Sequence, residues 1–295
     1  MGIQRIESLV FGADNVADAT RYFDDWGLEA TDQNEAGTTY TLPENQTIII
    51  RDANDDALPT APDGPNTLRE TIWGADTQGN LDAIRVELSK DRDVTTDNDG
   101  TLHSRDDAGF AIGFRVWDRT PAGIDAPQIN MNDQNTRLNA PVDGYRRARP
   151  IRIGHVVFHV PAKNWKALSG FYQDRLKFRL SERAEDTGDF MRCEGSQDHH
   201  NLFLAYRVDR AQFNHIAFEV RDFDEIMLGG THMKEQGWEP ATKPGRHFMG
   251  SNMFWYFHMP CGGRTEYFAD MDRLTENWKP PIWENNPGYA MWIME

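Results

Sequence analysis

One order of elements runs through this chain four times: an apolar strand, an amphipathic helix, then shorter β-rich runs. Self-similarity at roughly 50–70 residues marks an internal repeat, and it constrains the fold more than any single motif. The first cycle opens with IQRIESLVF from residue 3. Asn15 is placed to cap a helix whose face is Val16, Ala19, Tyr22, Phe23 and Trp26 and which stops at Gly27. Strand-like runs follow at 38–42 and 46–50. The second cycle, with Leu68 to Gly74, a helix stripe of Leu81, Ile84 and Leu88, and Ala108 to Trp117, is the least regular. The third begins at Ile153 to Val160, carries the stripe Trp165, Leu168, Phe171, Tyr172 and Leu176, and continues through 188–192 and 201–206. The fourth has a strand at Phe213 to Val220 and a helix with Phe223, Ile226, Met227 and Met233. It closes with two aromatic-rich runs around Pro260-Cys261-Gly262-Gly263, the pattern of a hairpin.

This order predicts an α+β fold in two domains, each of two βαβββ modules. Residues 1–118 form the first pair and 150–274 the second. Between them, 119–149 is rich in Pro, Asn, Asp, Gly and Arg without apolar periodicity and reads as a linker. The tail, 275–295, has three Trp, three Pro and a Tyr. It reads as an arm packed on its own domain, with a lid or an intersubunit clasp as the functional alternative.

Of the 295 residues 39% are apolar, including 16 Phe and 9 Trp, enough for a sizeable core. A net charge of −16 argues against nucleic acid or an anionic membrane as partner and fits a protein handling small molecules. No stretch approaches the roughly 20 apolar residues that span a bilayer, and the N-terminus lacks the apolar core of a signal peptide. Cys193 and Cys261 are the only cysteines and make no disulfide framework, so a cytoplasmic location is expected.

Three side chains suggest chemistry. A lone Glu on a strand ordinarily points to solvent, but Glu266 sits among aromatic residues in the last run of cycle four. His155 in GHVVFHV and His215 in FNHIAFEV open cycles three and four. Two histidines and one carboxylate on separate strands suit a divalent iron centre with open positions, Mn(II) being the alternative ion. Zinc would more often take thiolates or a histidine-rich tetrahedron, and neither CxxC nor HExxH occurs.

These residues resemble the vicinal oxygen chelate superfamily, and within it the two-domain type I extradiol ring-cleaving dioxygenases. The resemblance covers nearly the whole chain as architecture and residues 150–270 as motifs. It implies that each pair of modules folds into a cup-like mixed sheet, and that GHVV (His155), NHIAF (His215) and TEYF (Glu266) supply the metal ligands. It further implies an acid–base role for His200, the second residue of the pair His199-His200. Contacts to the substrate oxygens would come from His247, in Gly245-Arg246-His247, and from Tyr256, ten residues before the glutamate. The implied reaction is Fe(II)-dependent cleavage of a catecholic ring by dioxygen, in a homo-oligomer, with Phe190, Met191, Phe248, Met249, Phe254 and Trp255 as an apolar cleft.

The first two modules have Glu7/Ser8 and Glu70/Thr71 where the later two have histidine, as a metal-free N-terminal domain would. Of the other histidines, His159, on the same strand face as His155, reads as a surface or satisfied core residue, with a supporting role behind the metal ligands as the alternative; His199 reads as pointing away from the site, and His103 and His232 as solvent residues. His258, two residues after Tyr256, is within reach of the site. The competing readings are a 4-hydroxyphenylpyruvate-type dioxygenase, which also uses His, His and Glu, and a non-catalytic small-molecule-binding member of the superfamily.

Overall fold

In the computed structural model, residues 1–142 and 147–295 are described. The first half runs β1 (Ile3–Ala13), α1 (Val16–Trp26), β2 (Ala30–Asn34), β3 (Gly37–Thr41), β4 (Thr47–Asp52), β5 (Leu68–Ala75), α2 (Gln78–Leu88), β6 (Thr95–Thr96), β7 (Leu102–Arg105) and β8 (Ala111–Val116). The second runs β9 (Arg152–Pro161), α3 (Trp165–Gly170), β10 (Arg179–Ala184), β11 (Gly188–Arg192), β12 (Leu202–Val208), β13 (Gln212–Glu219), α4 (Phe223–Glu235), β14 (Gly245–His247), β15 (Met253–His258) and β16 (Arg264–Ala269). Two short tail strands, β17 (Ile282–Trp283) and β18 (Ala290–Ile293), follow. The fold is α+β, with two mixed sheets ordered β2-β3-β4-β1-β5-β8-β7-β6 and β17-β10-β11-β12-β9-β13-β16-β15-β14-β18. The connector at 119–142 is mostly exposed and carries no named strand or helix, and residues 143–146 of the expected linker lie outside the described residues. Among the described residues, no helix is long and apolar enough to cross a membrane.

One pairing rule repeats in both halves. β1 pairs parallel with β4, the last strand of its own module, and antiparallel with β5, which opens the next; β5 pairs parallel with β8. In the second half β9 pairs parallel with β12 and antiparallel with β13, which pairs parallel with β16. The opening strand of every module therefore stands beside its pseudo-equivalent at the middle of a sheet. That position is covered on both faces, so these strands are buried along nearly their whole length, polar residues such as Glu7 and Glu70 included.

Local signals act as expected in α1. The Asn15 side chain accepts from the Asp18 N–H, and Gly27 ends the helix with φ of 102°, a left-handed conformation that glycine adopts without penalty. The helix expected over 165–176 is less regular. A short 3-10 turn (Ala162–Asn164) precedes α3, and a π-helical turn (Phe171–Arg175) follows it.

The halves share one apolar core. Trp26 of α1 stacks on Tyr267 of β16 with ring centroids 3.5 Å apart. The Tyr267 hydroxyl donates to the Trp26 carbonyl at 2.6 Å, and Tyr22 bonds Thr265. Gln46, fully buried before β4, donates to the Ile6 carbonyl at 2.5 Å and the Ile153 carbonyl at 3.0 Å, and accepts from the Ile153 N–H at 2.8 Å. This side chain thus fastens the first sheet to β9, the strand that carries His155.

Candidate metal centre and its cavity

Strand register brings the expected ligands together. Residues directly opposite one another share a face. His155 of β9 faces Ala217 of β13, Ala217 also faces Glu266 of β16, and Glu266 faces Tyr256 of β15. His155, Ala217, Glu266 and Tyr256 therefore form one row across four strands, and the methyl group of Ala217 leaves room for the imidazole and the carboxylate to meet above it. His215 lies two residues from Ala217 on the same face.

The result is a buried convergence. His155, His215 and Glu266 each offer a ligand atom, and these atoms lie within 4.8 Å of one another. Glu266 Oε2 stands 3.0 Å from His155 Nε2 and 3.3 Å from His215 Nε2. Ligands at right angles about 2.1 Å from an ion stand roughly 3 Å apart, so the donor set fits an octahedral metal through three adjacent positions. His215 Nε2 is buried without a hydrogen-bond partner, as expected of an atom that serves a metal. Burial pulls the His215 pKa down to about 3, against the opposing pull of Glu266. Burial alone would raise the Glu266 pKa, but the neighbouring His155 and His215 outweigh it and hold the group far below the ordinary carboxylate range.

Two carboxamides orient two of these ligands, His215 and Glu266. Asn214 Oδ1 accepts from His215 Nδ1 at 2.6 Å, which leaves Nε2 as the free ring nitrogen. Arg264 donates to the same oxygen at 2.5 Å. Asn252, fully buried, donates to Glu266 Oε1 at 3.0 Å and leaves Oε2 for an ion. Hydrogen bonds of this kind fix the tautomer and rotamer of a metal ligand.

The cavity above the triad has a volume of about 330 Å³. His200, His247 and Tyr256 all line it. His200 flanks His155, with ring centroids 4.2 Å apart, and Tyr256 flanks His215 at 5.0 Å, so each stands beside a different histidine of the centre. Burial, then the surrounding imidazoles of His155, His199, His247 and His215, pushes the His200 pKa well below its ordinary value. His247 Nδ1 donates to the Tyr289 carbonyl at 3.0 Å, so its Nε2 accepts from the Tyr256 hydroxyl at 2.9 Å. The His247 pKa is also lowered by burial, and that of Tyr256 is raised by burial and by the Glu266 carboxylate.

The tail packs on its own half. β17 pairs with β10 and β18 with β14, at the two edges of the second sheet, and Asn286, Gly288 and Tyr289 between them line the cavity.

Several expectations need correction. Of the six apolar residues expected in the cleft, Phe190 and Met249 line it, beside Phe203. Met191 and Trp255 belong to the main core, Phe254 stacks on His247, and Phe248 is exposed against Trp283. His258 is exposed at the end of β15, past the cavity edge. His159 lines the cavity and accepts from Asn214 at 2.8 Å. His103 is half-buried between Glu70 and Asp97 rather than free in solvent. His199 lies against His200, at 3.1 Å between their Nδ1 atoms. Asn214 precedes a metal-ligand candidate in the sequence, but Asn252, Glu182 and Tyr289 carried no sequence signal for the site.

Comparison with known proteins agrees with this architecture. Residues 152–272 match the Glyoxalase/Bleomycin resistance protein/Dioxygenase superfamily. Over 129 residues the chain is 37% identical to metapyrocatechase 2 of Cupriavidus necator, a match covering 44% of this chain and 39% of that relative. The Mn(II)-bound glyoxalase of Novosphingobium aromaticivorans aligns at 20% identity and a TM-score of 0.76, over 98% of this chain and 90% of its own. The 2,3-dioxygenase LapB of Pseudomonas sp. KL28 aligns at 17% identity and a TM-score of 0.76, over 96% and 98%. Residues 152–272 thus resemble the Glyoxalase/Bleomycin resistance protein/Dioxygenase superfamily, within a two-sheet fold that the chain shares over nearly its whole length with a glyoxalase and a 2,3-dioxygenase.

Proposed function

We propose that the chain is an extradiol dioxygenase, opening a catecholic ring beside the diol with both atoms of dioxygen incorporated. The product is a ring-opened semialdehyde or keto-acid. The observation that carries this reading is the composition of the cavity: a buried His155–His215–Glu266 triad with proton-handling groups on both flanks and an aromatic wall. Its similarity to a metapyrocatechase lends support.

Divalent iron held by His155, His215 and Glu266 would supply adjacent open positions for a vicinal diol and dioxygen, and would ease loss of a hydroxyl proton. Manganese fits the same donors, as the Mn(II)-bound glyoxalase of this fold suggests. The protein's own residues supply orientation and proton transfer. Phe190 and Phe203, stacked at 3.9 Å, offer a flat apolar surface to the ring. His200, on the cavity wall beside His155, would take a proton from a substrate hydroxyl and return it as the ring opens. Tyr256 would turn its single hydroxyl hydrogen from His247 Nε2 to a substrate oxygen and stabilise charge developing there. Homo-oligomerisation, the cytoplasmic location expected of a chain with unpaired Cys193 and Cys261, and the division into two domains at 119–149 belong to the same reading.

The test is oxygen uptake by anaerobically Fe(II)-loaded protein over a panel of catechols, with absorbance followed for a yellow ring-fission product. Uptake with that product is expected. Loaded protein that consumes no oxygen with any catechol, yet turns over 4-hydroxyphenylpyruvate, would replace this reading with the oxo-acid dioxygenase.

A further inference from the structure

Behind His200 the cavity wall continues as a chain of hydrogen bonds that the proposed reaction does not yet use. His200 Nδ1 lies 3.1 Å from His199 Nδ1, and His199 Nε2 lies 3.0 Å from Glu182 Oε2. Glu182 Oε1 in turn accepts from the Trp283 indole N–H at 2.6 Å. Glu182, His199 and His200 are all buried. Gly250 packs against the middle of the chain: with φ of 83°, a Cβ there would stand 3.0 Å from His199 Nδ1.

The chemistry of the end members sets the direction of the chain. A carboxylate only accepts and an indole only donates. Glu182 therefore requires a hydrogen on His199 Nε2, and a neutral His199 then presents a bare Nδ1. The contact between the two Nδ1 atoms needs one hydrogen, which must come from His200. With that hydrogen on Nδ1, a neutral His200 keeps Nε2 bare for the cavity.

We propose that Glu182 and His199 are positioning residues that hold His200 as its Nδ1–H tautomer, with Nε2 presented to the substrate as a proton acceptor. The use of that acceptor rests on the ring-cleaving function proposed above, whereas the tautomer itself does not. Trp283 lies in β17, so the tail fixes the far end of the chain.

The decisive variant is Glu182→Gln. Because Trp283 can only donate, the new amide must turn its oxygen to the indole and its NH₂ to His199. The chain then reverses, and His200 Nε2 acquires the hydrogen. Adding Trp283→Phe removes that constraint, so the amide can turn its oxygen back to His199 and the original direction becomes available again. A role confined to packing predicts the opposite: the double variant would be no better than the single.

Two readouts are needed. In zinc-loaded, ¹⁵N-histidine-labelled protein, the His200 ring nitrogens are assigned by their loss in His200→Phe. Wild type is expected to show Nδ1–H, Glu182→Gln the swapped tautomer, and the double variant Nδ1–H again. In Fe(II)-loaded protein, Glu182→Gln should lose roughly 10–100-fold in kcat, with KM and iron content unchanged, and the double variant should recover most of that loss. His200 carrying Nε2–H in wild type, or a Glu182→Gln variant whose His200 tautomer is unchanged, would overturn the proposal. Wild-type protein without ring cleavage would count against the proposed function, and the ¹⁵N spectra would still decide the tautomer.

Discussion

Replacing Gln46 by alanine should weaken the join between the two sheets by about 3 kcal/mol. The carboxamide makes three buried hydrogen bonds, to the Ile6 carbonyl and to both the carbonyl and the N–H of Ile153. Each is worth about 1 kcal/mol net, and the orphaned Ile153 N–H cannot be reached by solvent without opening the interface. Three such bonds give the estimate, which corresponds to a fall in Tm of roughly 6 °C or more. Gln46→Glu should cost still more, because it turns the donating nitrogen into an anion facing two carbonyls. Urea unfolding followed by circular dichroism supplies the free energies. A loss below about 1 kcal/mol for Gln46→Ala would refute the argument that this side chain fastens the halves together.

Further predictions concern the site and the first half of the chain. Asn214→Ala should weaken metal binding roughly 10–100-fold, because His215 loses the acceptor that fixes its tautomer; anaerobic metal titration measures it. His200→Phe should keep iron and anaerobic catechol binding while slowing turnover by roughly 10²–10⁴-fold, and a wild-type rate would remove His200 from the acid–base role. In the first half, hydrogen bonding to Glu70 raises the His103 pKa from 6.5 to about 9, against the effect of burial and with a smaller contribution from Asp97. A raised histidine stabilises the fold fully below its unfolded pKa and loses that contribution as pH rises through the folded one. An unscreened shift of this size is worth about 3 kcal/mol, and half-exposure reduces it to about 1 kcal/mol. His103→Gln should therefore destabilise the protein at pH 6 and be nearly neutral at pH 10 in urea unfolding.

What could be read from the sequence follows from how local each signal is. The opening strands of the modules declared themselves through their Ile, Val, Leu and Phe content, and α1 did so through Asn15, its buried stripe and Gly27. β2, with sequence ATDQN and every residue exposed, carries no apolar alternation and is held to β3 by its backbone and the Thr31 hydroxyl. β10 faces Glu182 and Ser181 inward, so its sequence looks like a loop. The tail strands depend on edges supplied by β10 and β14, far away in sequence.

The same contrast holds at the site. His155, His215, Glu266, His200, His247 and Tyr256 stood out as polar residues at positions matching a family pattern, and they meet at one cavity. Their supports did not stand out. Asn252 and Glu182 acquire meaning only through tertiary contacts at 3.0 Å with Glu266 and His199. His199 stays out of the cavity lining, as expected, but its ring bonds His200 from behind, a contact that no sequence pattern announces.

The measurement that tests the metal centre most directly is metal stoichiometry by native mass spectrometry. Wild-type protein and the variants His155→Ala, His215→Ala and Glu266→Ala would be loaded anaerobically with Fe(II) and desalted. Wild type should retain one iron per chain, and each variant should retain essentially none while keeping the circular dichroism spectrum of the folded protein. Folded variants that hold iron as well as wild type, or a wild type that holds none, would contradict the assignment of these three residues as the metal site.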